Sequence, residues 1–417
     1  MKYEKIEGDT YNIYSIKTDK FRSAHIEIVF RSKCSEEVIT ESALLFDVLL
    51  NSTKEYPSNK LLSRKMEELY NLDMYAVNSR QGGVLLSNLV LHFIDPKYME
   101  SGSLEEIIKL AFSTIFEPNA IDGEFDLEPF EIAKERLDRE IEAGSEAIKE
   151  YSILEALKMA DPGGIRGISA AGNRDILKNL TPKKLYSFYE SVIENNPVDI
   201  YIVGNLDMKE VEKYIRKYAK FKSIKTDNFD PYLDELKVKK ACNGSGKSDI
   251  TQMNLVNIYT LTGLSDYERD IVMPVWNMLW GSGSLESKLY KSLRGEASLC
   301  YNVSTFYQKY DKVIILHTAI DAQNREKALK MIERDLKAMQ KGEIDKEELE
   351  RVKNIIINTL DLIYDSPSKL CDNYLFTNIA RLAPIEDRKD DFRGVTIKDL
   401  TNISKKVKLA FTYRIGG

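Results

Sequence analysis

The chain has 417 residues, 43% of them hydrophobic and 30% charged, with a formal net charge of −6. That length accommodates two or three domains, each with its own core, and the composition is that of a globular protein. The mild acidic excess without a basic stripe argues against nucleic acid as main partner, and the polar start MKYEKIEGDTYNIYSIK together with the lack of any apolar run of about 18 residues predicts a cytoplasmic protein with no membrane span.

Segments 10–16 and 21–31 read as strands. TESALLFDVLLN (40–51) has helical apolar spacing, and NKLLSRKMEELYN (59–71) forms a second helix after Pro57. Strands at 73–79 and 84–94 flank Gln81-Gly82-Gly83, which suits a hairpin. Helices follow at about 99–115, 127–144, 147–160 and 182–194, interrupted at Asp161-Pro162-Gly163-Gly164. The apolar strand VDIYIVGN (198–205) and a helix at about 207–220 close this half. Residues 221–247 mix charge, proline and glycine without a period and read as a linker.

The second half repeats that order. A strand at 254–261 leads to helices at 268–280 and 284–294, then to strands at 300–306 and 313–321. Helices at about 324–340, 345–365 and 396–405 precede a last strand, KLAFTYRIG. Tyr75-Ala76-Val77-Asn78 and Ile94-Asp95 recur at one offset as Tyr301-Asn302-Val303-Ser304 and Ile320-Asp321, and Thr181-Leu185 (TPKKL) resembles Thr396-Leu400 (TIKDL). The pattern predicts two tandem homologous α+β units, 1–220 and 248–417, joined by the linker 221–247. Each is expected to be a mainly antiparallel sheet with helices on one face.

The stretch Gly281–Val303 concentrates the polar interest. Ser284 is a predicted N-cap, Leu285, Leu289 and Leu293 recur as one buried helical face, Arg294 ends the helix and Gly295 takes the left-handed position beyond it. Leu299, Tyr301 and Val303 alternate on the next strand, so Arg294 and Tyr301 can aim at one point. Spacing alone leaves packing and function both open. An arginine at a helix C-terminus is favourable by up to about 1 kcal/mol in any case, and a tyrosine is ordinary on a strand. The matching first-half helix end, Leu69-Tyr70-Asn71, has no arginine.

Other motifs have plainer readings. Asn243-Gly244-Ser245-Gly246-Lys247-Ser248 resembles the end of a phosphate-binding loop, but Ala241 stands where the pattern needs glycine, so a flexible linker is expected. Gly281-Ser282-Gly283-Ser284 reads as a tight turn ahead of an anion cradle. His25, His92 and His317 lie in separate apolar strand-like runs with no ligand spacing between them, and are read as structural. A zinc site on this chain would require the fold to bring distant residues together. Cys34, Cys242, Cys300 and Cys371 are isolated and read as reduced packing residues.

The order strand, helix, Asn51-Ser52-Thr53, Pro57 and a second helix through Met66-Glu67-Glu68-Leu69 resembles the M16 metallopeptidase family, the insulinase-like and mitochondrial-processing-peptidase-like enzymes. In that family the first helix carries His-x-x-Glu-His, whose histidines bind zinc and whose glutamate activates water. Here Ala43, Leu44, Leu45, Phe46 and Asp47 occupy those positions, and Glu140 in Arg139-Glu140-Ile141 is the counterpart of the third ligand. The family's second half carries a helix ending Leu-Arg-Glu and then Gly-Leu-x-Tyr. This chain has Leu293-Arg294-Gly295-Glu296 and Ser298-Leu299-Cys300-Tyr301, with the glutamate displaced by one and serine in place of glycine.

The resemblance implies a clam-shell, LuxS-metallohydrolase-like architecture with no catalytic residue and no metal in this chain. It further implies a subunit that pairs with a zinc-bearing M16 chain and supplies Arg294 and Tyr301 to hold peptide substrate. The alternative is a non-proteolytic scaffold, or a peptide- or protein-binding homodimer.

Overall fold

The computed structural model describes residues 2–8, 10–222, 229–238, 240–282 and 285–417. Its strands are β1 (Lys2–Glu7), β2 (Asn12–Lys17), β3 (Ser23–Lys33), β4 (Asp73–Gln81), β5 (Val84–Ile94), the small ribbon β6 (Ala120–Ile121) and β7 (Glu124–Phe125), β8 (Val198–Gly204), β9 (Cys242–Gly246), β10 (Met253–Leu261), β11 (Cys300–Gln308), β12 (Val313–Ile320) and β13 (Val407–Ile415). The helices are α1 (Glu36–Asn51), α2 (Asn59–Glu68), α3 (Ser103–Phe116), α4 (Leu127–Glu146), α5 (Ile148–Ala160), α6 (Arg174–Lys178), α7 (Pro182–Asn195), α8 (Met208–Tyr218), α9 (Met273–Trp280), α10 (Arg325–Lys341), α11 (Lys346–Asp361), α12 (Pro367–Ala380), α13 (Ile385–Gly394) and α14 (Ile397–Ser404).

Two compact units result, and neither is a continuous stretch of chain. The first comprises 1–143, 169–231 and 363–379, the second 144–168, 232–362 and 380–417. In the first, the sheet order is β1-β2-β8-β3-β5-β4, antiparallel except between β2 and β8. Strand alternation divides β3: Ala24, Ile26, Ile28 and Phe30 enter a core built with α1, α3, α7 and α8, while Val29 faces the opposite side. That opposite face, with Tyr14, Ile16, Leu86 and Tyr201, is covered by Leu370, Cys371 and Leu375 of α12.

In the second unit the order is β11-β12-β10-β13-β9, antiparallel except between β9 and β13. This matches β4-β5-β3-β8-β2 strand for strand, including the single parallel pair. Thr181 and Thr396 cap α7 and α14 in the same way, each hydroxyl accepting from the third helical N–H. One sheet face packs on α9, α10, α11 and α14. The other packs Val256, Ile258, Ile315 and Tyr413 against Ala156 and Leu157 of α5. The break after α5 holds Arg166, which is buried and donates to the Asp311 and Asp234 carbonyls and to Asp161.

Three expectations change. Helices lie on one face of each sheet, as expected, but a single further helix also covers the second face. Part of the predicted linker is strand β9, hydrogen-bonded parallel to β13, so Asn243–Gly246 is neither flexible nor a phosphate loop. Residues 366–395, given no element from sequence, form α12 and α13.

His317 on β12 is buried, and its Nε2 lies 2.8 Å from Asn254 Oδ1. Burial, with the Lys149 charge adding to it, pushes its pKa down to about 4. The depressed value makes the imidazole a source of stability above the unfolded pKa of about 6.5 that is lost as pH falls toward 4. Urea unfolding should therefore show His317→Gln, which keeps a donor toward Asn254, losing less stability than the parent between pH 7 and pH 4, by on the order of 2 kcal/mol. Parallel pH profiles for the two proteins would refute the assignment.

Candidate functional site

The stretch 281–303 folds as a helical segment from Lys288 to Glu296, a reversal, and β11. Gly283 and Ser284, and with them the predicted N-cap and the anion-cradle reading, lie outside the described residues. Leu289 and Leu293 are fully buried, but Leu285 is 70% exposed because 285–287 precede the helix. From Tyr290 to Glu296 the turns are π-helical, a widening that recurs at functional positions.

Arg294 does not end the helix, and Gly295 is within it. The Leu299 N–H donates to the Leu293 carbonyl at 2.8 Å and the Ser298 N–H to the Arg294 carbonyl at 3.2 Å, with Ser298 at φ 51°. These bonds span six and four residues, a closure wider than the Schellman motif, and Ser298 takes the left-handed position expected of Gly295. The first unit closes α2 the same way: Leu72 donates to Met66 and Asn71 to Glu67, with Asn71 at φ 55°. Glu67 therefore stands where Arg294 stands, a sharper contrast than Leu69-Tyr70-Asn71.

The geometry brings Arg294 and Tyr301 together. The guanidinium carbon is 4.6 Å from the Tyr301 ring centroid and 5.0 Å from that of Tyr290. Each such contact is worth about 0.5–1 kcal/mol near the surface. Tyr301 is 79% exposed because β11 shifts register between Cys300 and Val303, and a bulge of this kind re-aims side chains. Among the described residues no carboxylate pairs with Arg294, which is half-buried beside the exposed Tyr301.

A second constellation forms in the first unit. Ala43, Phe46 and Asp47 of α1 line a pocket of about 460 Å³ with Glu140 of α4, walled also by Tyr75 and Asn51. The resemblance set Glu140 beside the α1 positions despite their separation in sequence, and the core shared by α1 and α4 brings Asp47 and Glu140 to one pocket. The same packing places Arg136, one turn before Glu140, on Asp47: its Nε donates to Oδ2 at 2.8 Å and a terminal nitrogen pairs with Oδ1. Arg136 carried no motif signal and was missed. The loop over the pocket is seated by Asn173, whose N–H donates to Thr40 Oγ1 at 2.9 Å, and by Gly172 at φ 99°, where a Cβ would come within 2.9 Å of that oxygen.

None of the three histidines lines this pocket. The donors facing it are one carboxylate engaged by a guanidinium, one exposed carboxylate, carboxamides and a phenol. Without an imidazole, and with a fixed cation already on Asp47, this set does not fit a catalytic zinc. It can hold backbone amide groups by hydrogen bonding.

Residues 179–356 match the family model described as the peptidase M16 inactive domain. The "Probable inactive metalloprotease YmfF" of Bacillus subtilis (strain 168) is 26% identical over 413 residues, 96% of this chain and 95% of that protein. The chain is similar to inactive M16-like metalloproteases. The M16-like fold runs through its whole length. A conserved protein from Enterococcus faecalis superposes with a TM-score of 0.93 at 21% identity, covering 100% of this chain and 98% of the other. The peptidase M16 inactive domain from Pseudomonas fluorescens does so at 0.79 and 13%, again over 100% and 98%. Among the described residues no helix is long and apolar enough to cross a membrane.

The ion pair predicts how the M16 zinc motif behaves if rebuilt. The triple change Ala43→His, Phe46→Glu and Asp47→His should add no zinc beyond the parent's content, because Arg136 remains beside the new ligands. Adding Arg136→Gln should admit one further equivalent, measured by metal analysis after dialysis. Equal uptake by both variants would show that Arg136 does not guard the site.

Proposed function

We propose that this chain is the non-catalytic subunit of a cytoplasmic bacterial zinc peptidase, pairing with an M16-type chain that carries His-x-x-Glu-His and the zinc. The observation that supports it is a selective loss. The metal position on α1 has been replaced by Ala43, Phe46 and an Asp47–Arg136 pair, while Arg294 and Tyr301 converge with their polar ends unspent. The partner's zinc would supply the activated water. This chain's contribution is to hold the substrate: a planar guanidinium fork and a phenol donate to backbone carbonyls and to the charge that develops on the attacked one.

β11 suits an extended peptide. It is an edge strand of its sheet, with Tyr301 and Phe306 exposed along it, and unpaired edge groups accept an added strand. Co-expression with an M16 chain bearing the zinc motif should yield a stable heterodimer, and Arg294→Ala should lower its peptide turnover by about a hundredfold, the scale for losing one pre-placed donor. Unchanged turnover would remove the claim for Arg294.

The second reading is a scaffold or peptide-binding homodimer. It is favoured by the pocket of about 460 Å³ that persists at the degenerate zinc position, lined by amide-binding groups. Gel filtration separates the readings: a homodimer that ignores any zinc-bearing chain supports the second.

A further inference from the structure

The face of the first unit's sheet beneath α12 carries a cluster unrelated to the α1 pocket. His25 and Glu27 are two residues apart on β3 and so share a face, and Cys371 of α12 descends onto them. They are 1%, 4% and 0% exposed. One ligand-type atom from each lies within 4.8 Å of the others. His25 Nε2 is 2.7 Å from Glu27 Oε1, while Asn88 Nδ2 donates to Glu27 Oε2 at 2.9 Å. His25 Nδ1 is buried with no hydrogen-bond partner.

We infer that His25, Glu27 and Cys371 form a structural zinc(II) site that fastens α12 to β3. Imidazole, carboxylate and thiolate are the donors this ion takes, and the mixed set excludes the harder cations calcium and magnesium. A thiolate and a carboxylate together balance the two positive charges, so the loaded site is neutral, which a fully buried position demands. Asn88 orients the carboxylate from outside the ligand set, as second partners do in built metal sites. His-x-Glu on a strand meets the two-residue ligand spacing; a search for paired histidines passes over it. The third ligand comes from 344 residues away in sequence, a distance only the fold closes.

The role is a staple. Binding releases the Cys371 proton and adds binding free energy to folding. Full-length protein, stripped with chelator and reloaded, should take up one zinc and melt at a higher temperature with it. Cobalt(II) in its place should give thiolate-to-metal charge-transfer absorption. The near-isosteric changes Cys371→Ser and Glu27→Gln should abolish uptake and the absorption, Asn88→Ala should weaken binding by about 10–100-fold, and Cys242→Ser, at an exposed thiol, should change neither. Folded parent protein that takes up no zinc would overturn the site, leaving a hydrogen-bonded packing contact. Uptake or charge-transfer absorption undiminished in folded Cys371→Ser would overturn it equally.

Discussion

Both sheets of this molecule are apolar on two faces, and a sheet with two apolar faces cannot be left half covered. Tyr14, Ile16, Val29, Leu86 and Tyr201 form one such second face, and Val256, Ile258, Ile315 and Tyr413 the other. At about 25 cal/mol per Å² of apolar surface, exposing either would cost several kcal/mol, a large fraction of a domain's net stability. The coverings come from distant chain: α12, from the C-terminal half, lies on the first sheet, and α5, from the N-terminal half, on the second. The discontinuous units follow directly from this exchange. So does the approach of Cys371 to His25 and Glu27.

The two constellations with polar interest sit at different positions of the repeated scaffold. In the first unit, α1 presents Ala43, Phe46 and Asp47 to a pocket, and α4 answers with Glu140 and with a guanidinium fixed on Asp47. In the second, the helix before β11 ends in the same wide closure as α2, with bonds spanning six and four residues, yet holds Arg294 where α2 holds Glu67. A half-exposed pair such as Asp47–Arg136 adds little stability, on the order of 1 kcal/mol or less. Its consequence is electrostatic: a permanent positive charge stands against the Asp47 carboxylate at the mouth of the α1 pocket.

Much of the fold was legible from local pattern. The strands from β3 to β5, the helices α1 and α7, and the repeated order of the halves showed in apolar period, hairpin glycine and threonine caps, which act over a few residues. The failures share a physical cause. β9 has the sequence Cys-Asn-Gly-Ser-Gly, which has no strand propensity and pairs only because β13 offers an open edge. α12 is partly wrapped by the sheet and so lacks a clear amphipathic stripe. Leu285 fitted a four-residue repeat but lies before the helix begins, and Ser298 displaced Gly295 because the π-helical turns lengthen the segment before it reverses.

By itself the sequence determined that two α+β repeats are present, that positions 43–47 of the first helix hold neither histidine nor glutamate, and that Arg294 and Tyr301 sit on adjoining elements. Those facts depend on residue identity and short-range period. Tertiary structure alone decided that the arginine and tyrosine stack, that Arg136 occupies Asp47, and that a cysteine in the C-terminal half meets a histidine and a glutamate near the N-terminus. Each of these depends on which helix covers which sheet face, a choice made by burial of apolar surface across hundreds of residues.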